Sequence, residues 1–294
     1  MAKSQGKLVL YEKEGNVGRI TLNYPERLNS WDFPGQGGLT DQFYETLKIP
    51  EEDDEIKVVI IKAAGRSFSA GHDLTTVGFV YGYGTGQAGE RRPSQRVRYK
   101  IDRKWLVGGH MSLLYFPKVT IAQVQGHCIG EGLALALCCD MAIAADDAMI
   151  GHTEQRLGFS GTGIGTIPLL MLAVGVKRGR EMLLTGRQMS GKEAAAIGLV
   201  AKSVPPDKLE EEVEKAAKAV TLLPRDGLAI GKAFTELVYD SMGITHGFIS
   251  GYIGHTAFTN LRWEEDEYNF FKERRDKGVK TGFHARDDRF AGLV

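Results

Sequence analysis

The sequence offers little that would draw it to nucleic acid, to a membrane or into an oxidising compartment. Its 37 basic and 37 acidic residues cancel, so no overall charge attracts a polyanion or an anionic bilayer. The longest apolar run, residues 132–145, is interrupted by Asp140 and is too short to span a membrane. The three cysteines, Cys128, Cys138 and Cys139, lack the spacing of a zinc site. We expect no nucleic-acid, membrane or metal partner, and small buried thiols in a reducing cytosol.

The remaining composition is typical of a globular protein. Hydrophobic residues make up 43% of the chain and charged residues 25%. A length of 294 residues suffices for one large core, or for a core with an appendage. Residues 1–7 contain no apolar signal segment, so we expect a cytoplasmic location.

Short apolar runs alternate with helical patterns, which predicts an α/β architecture. Residues 17–22 alternate as a strand does, and apolar runs over residues 58–61, 119–124 and 141–144 indicate further strands. A capping box at Ser190 predicts a helix through Ala196. Beyond the paired prolines at 205 and 206, an amphipathic helix is expected over residues 208–220, and the tail to residue 277 is expected to be helical throughout.

Two glycine-rich turns are the most informative motifs. Residues 68–73 and 126–132 each follow a predicted strand, and the second turn opens directly into an apolar helix. Glycine lets the backbone approach a ligand closely, and free N–H groups at a helix start attract negative charge. Two such N–H groups converging from separate loops make an oxyanion hole, which stabilises an enolate or a tetrahedral species.

Together with residues 24–30, 158–163 and 184–200, these turns resemble motifs of the enoyl-CoA hydratase/isomerase (crotonase) superfamily, in the same order. The resemblance implies a repeated ββα spiral core over residues 1–205, carrying the acyl-CoA site. It implies a helical C-terminal region over residues 206–294 that builds a homotrimer or a dimer of trimers. CoA would arrive as part of the substrate, with no other cofactor. Because this fold hosts many reactions, the resemblance does not fix one.

The family match assigns the two oxyanion donors to the backbone N–H groups of His72 and Glu131. Only the backbone is needed there, so a carboxylate at Glu131 is unusual, because negative charge beside an oxyanion is unfavourable. Either the Glu131 side chain turns away, or it is protonated, or it has a function.

The resemblance also locates the acid–base groups. Hydratases of the family use two glutamates, whose positions here are Ala134 and Glu154, so one carboxylate is missing. His152 is a candidate to compensate if the segment is extended, because residues two apart then point the same way. Glu131 is a second candidate, one helical turn from Ala134. The alternatives are a structural histidine at 152 and a solvated or helix-capping side chain at Glu131.

Substrate recognition is expected along the same turns. The family match places adenine against the loop that carries Ala70 and gives phosphate contacts to Arg27, with Lys272 and Arg275 as weaker candidates. Asp73 and Gly130 are expected to line the site, because they lie within the two turns. Two tyrosines, Tyr81 and Tyr83, belong either to a surface loop or to an aromatic lid over the acyl group.

The sequence therefore predicts an enzyme that acts on an enoyl-CoA thioester in fatty acid metabolism. Hydration of a 2-enoyl-CoA is favoured. Double-bond isomerisation with Glu154 alone, ring or C–C cleavage, and a non-catalytic acyl-CoA-binding scaffold remain open as alternatives.

Overall fold

The computed structural model describes residues 7–75, 94–158, 165–258 and 263–293, which form an α/β fold. Its strands make one larger mixed sheet and one smaller sheet. In chain order they are β1 (Val9–Glu14), β2 (Val17–Leu22), β3 (Val58–Ala63), β4 (Val119–Val124), β5 (His127–Ile129), β6 (Met141–Ala145), β7 (Met149–Gly151), β8 (Gln188–Ser190) and β9 (Lys202–Val204).

The larger sheet has the strand order β1-β2-β3-β4-β6-β9. Only the β1–β2 pair is antiparallel, and the other neighbours are parallel. In β3, Val58 to Ile61 are completely buried, and Val58 pairs with Val119 of β4. A strand that is apolar on both faces must be covered on both faces, as parallel sheets usually are. The strands predicted from the apolar runs are confirmed.

A second layer lies at the carboxyl ends of these strands. Its sheet has the order β5-β7-β8, and two isolated parallel bridges, Trp31 with His72 and Ser69 with Cys128, extend it toward the first glycine turn. A long strand therefore leads repeatedly into a short segment of the second layer and then into a helix. This arrangement matches the expected ββα repeat, and it brings both glycine turns to the same edge.

Helices cover both layers. The described ones are α1 (Leu39–Glu52), α2 (Gln95–Trp105), α3 (Met111–Leu114), α4 (Glu131–Cys138), α5 (Ile167–Val174), α6 (Val176–Thr185), α7 (Gly191–Ala196), α8 (Leu209–Thr221), α9 (Arg225–Ser241), α10 (Ile244–Phe258), α11 (Phe270–Lys277) and α12 (Val279–Asp288). A π-turn over Leu106–His110 joins α2 to α3. The Ser190 hydroxyl accepts the Glu193 N–H at 3.2 Å and caps α7, as predicted.

The C-terminal helices serve two parts of the molecule. α8 packs on β3, β4 and β6, so it covers the larger sheet. The expectation of a tail that is helical throughout is wrong, because residues 263–269 are irregular before α11 begins. α11 and α12 then return to the second layer, where Phe270 and Phe271 bury against Phe33 and Leu157. The proposed boundary after residue 205 and the oligomeric role of this region stay predictions.

Candidate active site

A cavity of about 450 Å³ lies between the second layer and α12. Both glycine turns contribute to its wall, and so does the segment that follows β7. The predicted site residues that line it are Arg27, Ala70, His72, Asp73, Gly130 and Glu154. The structure therefore brings together the main candidates from four separate stretches of the sequence.

Asn29 holds the first glycine turn in place. Its backbone is left-handed, with φ 52°, a conformation that asparagine adopts more readily than most residues. The buried side chain accepts the Tyr24 N–H at 2.8 Å and donates to the carbonyls of Ala64 and Ser67, at 3.0 and 2.8 Å. These bonds satisfy backbone groups that the turn would otherwise leave unpaired.

The two turns approach each other at Gly71, which has a φ of 85°. A Cβ on this residue would lie 2.8 Å from the carbonyl oxygen of Ile129 and 3.5 Å from the Glu131 nitrogen. Glycine is therefore required by conformation and by space. Within the described part of the chain, neither the His72 N–H nor the Glu131 N–H has a hydrogen-bond acceptor. Adjacent free donors on two loops are what an oxyanion hole requires.

Glu154 and His152 form a pair beside these donors. Nδ1 of His152 lies 2.9 Å from Oε2 of Glu154, whose side chain is 21% exposed. Burial lowers the pKa of His152, but the Glu154 carboxylate outweighs that effect and holds the pKa above its ordinary value. Burial likewise raises the pKa of Glu154, and His152 more than offsets it, so the pKa of Glu154 lies below its ordinary value. These shifts favour an ionised carboxylate.

The Glu154 carboxylate lies directly over Gly130. A Cβ on Gly130 would overlap Oε1 of Glu154, and the φ of Gly130 is 56°. Our expectation of an extended segment is wrong here, because Thr153 has φ −104° and ψ 5°, and a 3-10 turn begins at Glu154. His152 and Glu154 nevertheless meet, because this turn folds the carboxylate back on the imidazole.

Glu131 is buried, with only 1% of the residue exposed. Its Oε1 accepts the indole N–H of Trp105 at 3.0 Å and lies 2.9 Å from Nε2 of His110. Its Oε2 lies 3.7 Å from Nε2 of His72. Burial raises the pKa of Glu131, but His110, His72 and Trp105 together outweigh burial and lower it. The alternative of a solvated side chain is therefore wrong, and the carboxylate points behind the cavity wall.

The position of the missing glutamate is filled by apolar side chains. Ala134 is buried and packs with Trp105, Leu106 and Tyr252. Glu131 is bonded to Trp105 of this same cluster and does not line the cavity in the described structure, and its substitution for the missing glutamate stays a prediction. Within the described residues, Glu154 is thus the only glutamate that lines the cavity.

The far wall of the cavity contains a basic residue that sequence reasoning missed. Arg286 of α12 lines it together with Val279 and Phe283. The sequence candidates Lys272 and Arg275 are exposed on α11 and are not among the lining residues of the described structure. No local sequence pattern distinguishes Arg286, because its place on the cavity wall depends on how α12 folds back.

Some predictions fall outside the described residues. Tyr81 and Tyr83, and with them the surface loop or lid, lie there, as does most of the motif at residues 158–163. In the ranges that the structure does describe, no group of His, Cys, Asp or Glu could hold a metal ion. No helix in those ranges has the length and apolarity needed to cross a membrane.

Fold and site together define a crotonase-type α/β protein with paired glycine turns. A family model for enoyl-CoA hydratase/isomerase matches residues 12–236. A "Putative enoyl-CoA hydratase" from Thermus thermophilus is 32% identical over 236 residues, covering 80% of this chain and 86% of that protein. The crystal structure of an enoyl-CoA hydratase/isomerase from Xanthobacter autotrophicus Py2 is similar, with a TM-score of 0.79 and 30% identity over 96% of this chain and 98% of the other.

A crystal structure of enoyl-CoA hydratase from Mycobacterium smegmatis shares the fold, with a TM-score of 0.81 and 24% identity over 97% of this chain and 94% of that one. The chain belongs to the enoyl-CoA hydratase/isomerase family. It is an enzyme of that family.

Proposed function

We propose that this enzyme hydrates a 2-enoyl-CoA thioester. The observation that carries the proposal is the position of the Glu154 carboxylate, over Gly130 and beside two free backbone donors, on the wall of one cavity. The thioester carbonyl would accept the N–H groups of His72 and Glu131. Negative charge that develops on this oxygen is then stabilised by donors already in place.

Glu154 carries the proton in this scheme. Its carboxylate takes a proton from water as the water oxygen bonds to the β-carbon, and the carbon–carbon π electrons move to form the enolate. The resulting carboxylic acid then gives a proton to the α-carbon, which adds one water in total. A single carboxylate performs both transfers in sequence. His152 keeps Glu154 ionised between turnovers and orients it.

Double-bond isomerisation is the second candidate, and Ala134 favours it. Moving a proton between the α- and γ-carbons needs one base, whereas hydration is easier with two carboxylates. Ala134 is packed among apolar side chains, and position 134 therefore offers Glu154 no second carboxylate. The names of the similar proteins favour hydration, and the chemistry at residue 134 favours isomerisation.

CoA would bind in the part of the cavity between the first glycine turn and α12. Arg27 and Arg286 lie on its wall as basic groups for the phosphates, and Arg286 also donates two hydrogen bonds to Asp287, at 2.8 and 2.7 Å. Ala70 offers a backbone surface for the adenine, and Asp73 lies on the same loop. CoA serves as part of the substrate, and no further cofactor takes part in the scheme.

We also propose that the chain assembles as a trimer or a dimer of trimers. α9 exposes Ile230, Phe234, Leu237 and Val238, each more than half exposed. Apolar side chains clustered on one helix face are typical of an interface between subunits. Sedimentation of the wild type and of Phe234→Asp tests this: a smaller species is expected for the variant, and a monomeric wild type would contradict the proposal.

The reaction is tested by incubating 2-enoyl- and 3-enoyl-CoA thioesters with the enzyme in deuterated water and measuring their masses. Addition of one water, which Glu154→Gln abolishes, is the expected result. A shifted double bond with deuterium and without added water identifies an isomerase. Fragmentation of the acyl group indicates C–C or ring cleavage. Tight binding without turnover across the panel contradicts both reactions and favours a scaffold.

A further inference from the structure

Two of the three side chains that contact Glu131 flank a π-turn, with Trp105 directly before it and His110 at its end. The Met111 N–H donates to the carbonyl of Leu106, five residues earlier, which widens the helix over Leu106–His110. On an ordinary α-helix, residues five apart lie about 140° apart around the axis. The wider turn instead brings Trp105 and His110 to the same carboxylate oxygen, at 3.0 and 2.9 Å. Such turns often occur at functional sites.

The third contact joins the two residues that carry the oxyanion donors. Oε2 of Glu131 lies 3.7 Å from Nε2 of His72. The His72 ring stacks on Phe33, with centroids 4.9 Å apart, and meets the edge of Trp105 at 4.6 Å. The side chains of the two donor residues therefore face each other behind their own backbone N–H groups.

Burying the Glu131 carboxylate costs free energy that a purely structural role would not require. A buried carboxylate must be paired and hydrogen-bonded, and its negative charge opposes a developing oxyanion nearby. An uncharged residue at position 131 would supply the same backbone N–H without that cost. The indole N–H of Trp105 and the imidazoles of His110 and His72 surround the carboxylate and restrain where the first residue of α4 can lie.

We propose that the Glu131 side chain, with Trp105 and His110, is a positioning unit that fixes the separation and direction of the two oxyanion donors. This inference rests on the proposed use of the His72 and Glu131 N–H groups. The side chains of the unit lie behind the donors, so they act on the reaction through them. Loosening the unit should weaken enolate stabilisation more than it weakens binding of the CoA portion.

The test uses acetoacetyl-CoA, whose enolate absorbs in the near ultraviolet where the keto form does not. Titrating the bound ligand with pH gives the enolate fraction without requiring turnover or knowledge of the natural acyl group. Trp105→Phe removes the indole donor and keeps an aromatic ring. His110→Gln retains a donor near the Nε2 position, and His110→Leu removes it. Lys232→Met is the control, because it breaks another ion pair of a buried side chain, that of Lys232 with Asp140, away from the cavity.

For Trp105→Phe and His110→Leu we expect the enolate of the bound ligand to form only at higher pH. We expect kcat to fall roughly tenfold to a hundredfold, less than or equal to the cost of deleting one oxyanion donor. KM and the dissociation constant for CoA should stay near wild type. His110→Gln should recover most of the loss, and Lys232→Met should lower the melting temperature without changing the enolate fraction.

An unchanged enolate titration in folded Trp105→Phe and His110→Leu would overturn the inference while leaving the proposed oxyanion hole intact. A wild type that binds acetoacetyl-CoA without any enolate would instead overturn the oxyanion hole, and the inference with it. If Trp105→Phe does not fold, His110→Leu compared with His110→Gln gives the same reading, since both variants leave the Glu131 carboxylate and its bond to Trp105 in place.

Discussion

Two carboxylate–histidine pairs lie on opposite sides of the second glycine turn, with the same chemistry and different access. Glu154 and His152 are 2.9 Å apart, and the Glu154 side chain is one-fifth exposed to the cavity. Glu131 and His110 are also 2.9 Å apart, but both are buried. A carboxylate acts on a substrate only where the substrate can reach it. Exposure, rather than residue type or pairing, is therefore the difference on which we assign proton transfer to Glu154 and backbone positioning to Glu131.

The largest expected effect comes from removing the accessible carboxylate. Glu154→Gln keeps the shape of the side chain but removes the base, so we expect kcat to fall by roughly 10²–10⁴-fold. Steady-state kinetics and thermal melting provide the measurement. Glu12→Gln makes the same chemical change on exposed β1 and should leave both values at wild type. Near-normal turnover in Glu154→Gln would show that Glu154 does not transfer the proton.

A smaller effect is expected when the accessible carboxylate is displaced rather than removed. In Gly130→Ala the new methyl group overlaps Oε1 of Glu154, and a φ of 56° is strained for alanine. Because a displacement near 1 Å can cost about 10²-fold in rate, we expect a loss of this order in kcat. Gly231→Ala is the matched control, since nothing lies within 4 Å of its added Cβ. If Gly130→Ala loses affinity for CoA but keeps kcat, Glu154 does not act from its observed position.

A substitution on the far wall of the cavity leaves both carboxylate–histidine pairs in place. Arg286→Leu removes positive charge from α12, so we expect KM to rise about tenfold, which corresponds to about 1.4 kcal/mol, with kcat unchanged. Arg289→Leu is the control, because Arg289, one turn further along the chain, packs on the Tyr268 ring instead. A fall in kcat for Arg286→Leu with constant KM would argue against a CoA-binding role.

The smallest effect is a shift in pH dependence. His152 holds the pKa of Glu154 below its ordinary value. Replacing it in His152→Asn removes that influence, so the pKa of Glu154 rises and the acidic limb of kcat/KM moves to higher pH. His246→Asn, at an exposed position of α10, should not move the acidic limb. If the acidic limb stays in place or moves to lower pH, His152 does not lower the pKa of the catalytic carboxylate.

The strands and the accessible part of the site could be predicted from the sequence. The apolar runs give the strands, because parallel strands buried on both faces are apolar throughout. The two glycine turns follow from local motifs and Glu154 from the family resemblance, and the structure places the turns side by side. In these regions, short segments of sequence are sufficient to determine the local backbone.

The buried pair could not be predicted in the same way. Trp105 and His110 meet on Glu131 through a π-turn, whereas the usual helical spacing would direct them to different sides. The sequence marks Glu131 as an unusual carboxylate but does not identify its partners, and the need for Gly109 in the turn appears only in the structure, where a Cβ would lie 2.8 Å from the Tyr44 ring. Arg286 was missed for a different reason, since its position depends on the path of α11 and α12 around the cavity.

The rate of α-proton exchange in deuterated water tests most directly whether Glu154 transfers the proton and Glu131 acts only through its backbone. A saturated acyl-CoA exchanges this proton through the enolate without requiring hydration or isomerisation, and mass spectrometry follows it in wild type, Glu154→Gln and Trp105→Phe. We expect Glu154→Gln to lose nearly all exchange, roughly 10²–10⁴-fold, and Trp105→Phe to lose roughly 10–10²-fold through the Glu131 backbone N–H. A greater loss in Trp105→Phe than in Glu154→Gln, or Glu154→Gln at the wild-type rate, would contradict these assignments.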